Sequence, residues 1–174
     1  MEKFDTIEKA IELFNSKNLL GNENNIFLAY RDTTKEATKY GVLGGVLGGA
    51  VGGAIVGAIA AFSEGALEGM QKADGYLINS TESGLGIIPL KYNGVMMTAN
   101  PSKMEPEIEN AVFATNEDIQ TLTVKNYNIF NSKIKKIKLV LKNGLTLEMF
   151  ARNVEKLIPY QKDSFSKFVA KYIK

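Results

Sequence analysis

A run of 22 residues, Gly41 to Phe62 (GVLGGVLGGAVGGAIVGAIAAF), carries no charged and no hydrogen-bonding side chain. Its glycines fall in register: Gly41, Gly45, Gly49, Gly53 and Gly57 recur every four residues, with Gly44, Gly48 and Gly52 as a second column. On an α-helix, positions four apart share a face, so the columns would form a smooth strip of backbone flanked by Val, Leu and Ile, a glycine zipper. Eight interior glycines cost roughly 4–8 kcal/mol relative to alanine, comparable to the net stability of a domain. Something must offset that cost. A helix packed closely on the strip would do so, as would a bilayer, where unpaired backbone groups are too expensive to leave open. A helix of this length reaches about 33 Å, enough for a hydrocarbon core of about 30 Å. Three readings follow: a membrane-inserted helix, a protein-buried helix or helical hairpin, and a Gly-rich loop. The loop fits least well, because flexible linkers favour Ser over Val and Ile.

The rest of the composition narrows the chemistry. The chain has 174 residues, room for one domain or one domain with an appendage. A net charge of +2 makes no electrostatic case for nucleic acid. There is no Cys and no His, which removes disulfides, thiolate and imidazole metal sites, and Ser-His-Asp or Cys-His nucleophiles. No cofactor, metal or catalytic residue is expected, and the protein reads as a non-enzyme. The zipper lacks the Gly-Lys-Ser/Thr ending of a phosphate loop. The apolar run starts behind a charged amphipathic segment, so it does not read as a cleavable signal peptide.

Along the chain, Asp5 and Glu8 are spaced as a capping box for a helix with Phe4, Ile7, Ala10, Ile11 and Phe14 on one face, stopped by Gly21. Ile26 to Tyr30 reads as a strand. Thr33 and Glu36 form a second possible capping box, from which a helical pattern runs through the zipper towards Gln71 and closes at Asp74-Gly75. Strand signals follow at Tyr76 to Asn79, Gly84 to Leu90, Val112 to Ala114 and Ile119 to Val124. Asn93-Gly94 and Asn143-Gly144 predict tight hairpins, the second joining Ile137–Leu141 to Leu145–Met149. Beyond Pro159, Ser164 is placed to cap a helix with Phe165, Phe168, Val169 and Tyr172 on one stripe. The expected division is 1–32 (amphipathic helix and first strand), 33–74 (zipper segment, apolar over 41–62) and 75–174 (β domain with closing helix).

The stretches TESGLGIIPLKYNG (81–94), IKKIKLVLKNGLTLEMFA (134–151) and PYQKDSFSKFVAKY (159–172), an antiparallel meander followed by an amphipathic helix, resemble the bacterial pleckstrin-homology and GRAM-like domains. The resemblance implies an α+β fold, a β-barrel or meander closed by the C-terminal helix, with the zipper inserted near the N-terminus. It also implies a binding or scaffold module that takes lipid headgroups or peptides and carries no catalytic residues.

Lys133, Lys135, Lys136, Lys138 and Lys142 form a candidate patch for anionic lipid, against the plainer reading of solvated gatekeepers on an exposed strand. Glu64, Glu68 and Lys72 fit one wet helix face, and Glu105, Glu107 and Glu109 lack the pattern of a calcium loop. The expected partners are a membrane and, through the eight zipper glycines, further copies of the chain. The protein would then be membrane-associated with its β domain cytoplasmic. A soluble cytoplasmic scaffold and a pore- or lesion-forming protein are the alternatives. Topology separates these readings. If Ile26–Tyr30 joins the sheet formed after Tyr76, both ends of the zipper segment lie on one side and a single crossing is impossible. If it does not, one crossing is allowed, and Arg31, Lys35 and Lys39 would keep the N-terminus inside and put the β domain outside.

Overall fold

The computed structural model describes residues 3–33, 62–94 and 100–173. The zipper glycines, and Val95–Met97 of the first expected hairpin, lie outside the described residues. Helix α1 (Ile7–Asn15) is capped by Thr6, whose hydroxyl accepts the Lys9 N–H at 3.3 Å, while Asp5 pairs with the Lys9 ammonium at 2.5 Å. The expected cap is thus displaced by one residue. Strand β1 (Asn25–Arg31) follows. Helix α2 (Glu64–Lys72) starts afresh at Ser63, whose backbone is extended and whose hydroxyl accepts the Ala66 N–H at 3.2 Å. An unbroken helix from the zipper to Gln71 is therefore not formed: a side-chain cap at Ser63 satisfies an N–H that a continuous helix would have bonded internally.

Six further strands follow: β2 (Gly75–Ser80), β3 (Gly84–Tyr92), β4 (Met104–Pro106), β5 (Val112–Thr115), β6 (Ile119–Asn128) and β7 (Asn131–Leu141). Strand β8 (Thr146–Arg152) and helix α3 (Gln161–Tyr172) come after them. All eight strands join one antiparallel sheet in the order β4-β3-β2-β1-β8-β7-β6, with β5 paired to β3. The fold is α+β with a C-terminal helix. Among the described residues the sheet does not close into the expected barrel. Among those residues β6 pairs only with β7, β5 folds back onto β3, and α3 packs against β1 and β6 on the concave face.

Strand β1 is central. It runs antiparallel to β2 from Asn25↔Ser80 to Tyr30↔Gly75, but meets β8 only at Tyr30↔Phe150 and Arg31↔Met149. Where β1 and β8 splay apart, the fully buried Gln161 bridges them. Its amide accepts the Leu28 N–H at 2.8 Å and donates to the carbonyls of Leu28 at 3.0 Å and Arg152 at 2.9 Å. The start of α3 is thereby seated on the sheet. Tyr160 occupies the N-cap without a side-chain bond, so Ser164 lies inside the first turn rather than capping it.

Two apolar layers sandwich part of the sheet. On the concave face, Phe27, Ile78, Ile87, Leu139 and Met149 pack with Phe165 and Phe168 of α3, and the Phe27 ring lies 5.0 and 4.6 Å from those two rings. Helix α2 adds Ala66 and Met70 to this layer, with Phe62 partly buried against it. On the convex face, Phe4, Ala10 and Phe14 of the N-terminal region cover Ile26, Leu28, Leu77, Ile88 and Leu90. Gly86 lies beneath that cover, where a Cβ would come within 3.0 Å of the Leu19 carbonyl and 3.2 Å of the Phe14 ring. The expected Asn143-Gly144 hairpin is present, with Gly144 at φ +90°, a conformation that favours glycine.

Candidate functional site

The insertion between β1 and β2 closes on itself. The Arg31 N–H donates to the Asp74 carbonyl at 3.1 Å, and the Arg31 guanidinium reaches the Ala73 carbonyl at 3.3 Å. Asp32 then donates its N–H to the Glu148 carbonyl of β8 at 2.9 Å, and the Asp74 N–H bonds to the Leu90 carbonyl of β3 at 2.8 Å. Chain leaving at Thr33 and chain arriving at Phe62 thus belong to the same folded body.

The five lysines of the candidate patch do not meet as one surface. Lys133 and Lys142 stand nine residues apart, roughly 30 Å along an extended strand. Lys136 turns to the buried Asp32 carboxylate at 2.5 Å and to Glu148 at 3.6 Å. The hydrogen bond from Lys136 to Asp32 is the main reason its ammonium is held above the usual lysine range. Lys138 lies 3.9 Å from Glu148, and Lys135 donates to the Asn126 side chain at 2.6 Å. Lys133 is exposed near the β6–β7 turn, and Lys142 is exposed at the far end of the hairpin. Because β7 lies between β6 and β8, these lysines do not guard a free edge.

The β6–β7 turn presents what sequence reading missed. Asn128 pairs with Asn131, leaving Ile129 and Phe130 as a two-residue turn with 88% and 91% of their surface exposed. The turn is pinned by Asn128, whose side chain accepts the Phe130 N–H at 3.0 Å, and by Asn131, which accepts the Lys133 N–H at 3.0 Å. Two large apolar residues do not signal a turn, and they lie between the strands expected at Ile119–Val124 and Ile137–Leu141.

A second polar corner lies where Arg152 stands 5.4 Å over the Tyr30 ring and 3.4 Å from Glu155. Burial, against the pull of Arg152, raises the Glu155 carboxyl above its ordinary range, and burial likewise pushes the Tyr30 hydroxyl up. The neighbouring open cleft, about 520 Å³, is lined by Pro101, Arg152, Val154, Glu155, Lys156 and Leu157. It holds one buried acid beside an arginine. Lys91, the lysine beside the first expected hairpin, donates to the Lys72 carbonyl at 2.6 Å and lies 3.8 Å from Asp74. Glu68 and Lys72 pair on the exposed face of α2, as their spacing predicts. Among the described residues no group of acidic side chains is gathered to hold a metal ion, and no helix is long and apolar enough to cross a membrane. No family model, no curated protein and no solved structure matches the chain.

Proposed function

We propose that the protein is a non-catalytic, pleckstrin-homology-like binding or scaffold module, held at a membrane or in a homo-oligomer by the glycine-zipper segment. The meander order supports the fold part of this reading. Taken as a ring opened between β4 and β6, with β5 set aside on β3, the order β4-β3-β2-β1-β8-β7-β6 follows the chain, and one C-terminal helix covers the concave face. The observation that carries the anchoring part is the closure of the insertion at Arg31 and Asp74.

With both ends on one body, a membrane-inserted zipper in 34–61 would have to go out and return. Those 28 residues allow about 14 in each direction, or about 21 Å as helices, short of a hydrocarbon core of about 30 Å. A helical hairpin that dips into one leaflet, or that packs through its glycines on itself or on another chain, satisfies this limit. A single crossing does not. The test is to fractionate cells carrying the full chain and a variant in which 34–61 is replaced by a Gly/Ser linker. The full chain should sediment with membranes or as an oligomer, and the variant should be monomeric in the supernatant with its melting transition retained. The same fraction and the same mass for both would overturn the reading.

A further inference from the structure

We propose that the β6–β7 hairpin is a wedge for anionic bilayer surfaces, in which Ile129 and Phe130 enter the headgroup and acyl boundary while Lys125 and Lys133 meet anionic headgroups. Nothing in the fold requires apolar residues at this turn. The neighbouring β7–β8 hairpin has the usual Asn143-Gly144, whereas here the two most exposed large apolar side chains of the described residues sit together at a tip. Their side chains contribute to neither apolar layer.

Charge selects the occupant. From Ile119 to Leu141 the hairpin holds five lysines and no Asp or Glu, a local charge of +5. The whole chain carries +2, so the remainder has 16 basic and 19 acidic residues and a charge of −3. Lys136 and Lys138 are turned towards acids from other elements, but Lys125 and Lys133 are exposed and, among the described residues, have no carboxylate partner. Just beyond β8, Asn153 donates its N–H to the Lys133 carbonyl at 2.8 Å, and the next residue, Val154, is also exposed. A protein partner fits less well. A stable protein interface takes about 800 Å² from each side, far more than a convex two-residue tip offers. A bilayer needs no matching concavity and rewards an apolar tip with a basic rim.

This contact extends the membrane reading but does not use residues 34–61. By register Arg31 is level with Met149 and Ile137, so the tip at Asn131 lies six residues, roughly 20 Å, back along the sheet from where the insertion departs.

The chain has no Trp, so Phe130→Trp in the full-length protein gives a single indole reporter at the tip. With vesicles of phosphatidylcholine and phosphatidylglycerol, the indole emission should shift to the blue and be quenched by lipids brominated near the glycerol end of their chains. Adding Lys125→Glu and Lys133→Glu should raise the lipid concentration needed for half the shift by about tenfold or more. Protein that sediments with the vesicles while the indole keeps its emission in buffer would overturn the wedge and leave the segment anchor standing. Neither sedimentation nor a shift would overturn both. An equal shift on pure phosphatidylcholine would overturn the anionic preference, and a blue shift without lipid that grows with protein concentration would assign the tip to a protein contact instead.

Discussion

Strands β1–β3 and strands β6–β8 belong to one sheet but have different surroundings. In the first group nearly every residue is buried, because α1 covers the convex face and α2 and α3 the concave one. In the second group burial largely alternates: Ile137, Leu139 and Leu141 face the concave core while Lys136, Lys138 and Val140 face outwards. The first group is built to hold, and it holds the two ends of the insertion through Arg31 and Asp74, with one bond from Asp32 to β8. The second leaves one face and a long hairpin free to meet something else.

Removing the anchor shared by both groups should cost most. Phe168, 1% exposed and 4.6 Å from the Phe27 ring, should cost roughly 3–5 kcal/mol when replaced by Ala, read as a fall in the denaturant midpoint. An unchanged midpoint would mean that α3 does not close the core. The contrast itself is tested on the convex face. Ile88→Ala on β3 should cost roughly 2–5 kcal/mol, whereas Val140→Ala on the corresponding face of β7 should cost less than about 1 kcal/mol. Equal costs would erase the distinction between the groups.

At the joint between them, Gln161→Ala strips partners from the buried Leu28 N–H and from the Leu28 and Arg152 carbonyls, and should cost roughly 2–3 kcal/mol. Gln161→Glu should not restore the loss, since a carboxylate cannot donate to the two carbonyls. A smaller effect, about 2 kcal/mol, is expected for Lys136→Met, which removes the ammonium that bonds the buried Asp32 carboxylate. Because the folded protein raises the Lys136 pKa, this contribution is fully present below the ordinary lysine range and fades as pH climbs through the raised value. Parent and variant melting curves should therefore converge only in strong alkali.

How far this was legible in the sequence follows from where the information sits. Period-two alternation and Asn-Gly turns located β7, β8 and their hairpin, because one buried face leaves a regular trace. The stripe of Phe165 and Phe168 located α3 for the same reason. Strand β1 was legible as an apolar run, but its central place between β2 and β8 was not, since pairing order has no local signature. Gln161 lies ahead of the helix expected from Ser164 and carries no signal of its own; only the splay of β1 from β8 gives its amide three backbone partners. The candidate lysines are split for a comparable reason: Asp32, which draws Lys136 aside, is more than 100 residues away in sequence. The Ile129-Phe130 tip was hidden because exposure at a turn is a property of pairing register, not of residue type.

The central claim is that the segment between β1 and β2 leaves one body and returns to it on the same side. The absence of cysteine makes a direct measurement possible. Single cysteines are placed at Lys17, before the segment, and at Lys142, after it, both exposed. Each variant is then treated with a membrane-impermeant thiol reagent in sealed vesicles, before and after lysis. Both sites labelled together, or both protected together until lysis, is the predicted result. Labelling of one site with protection of the other would put the two ends across the bilayer and contradict the closed insertion.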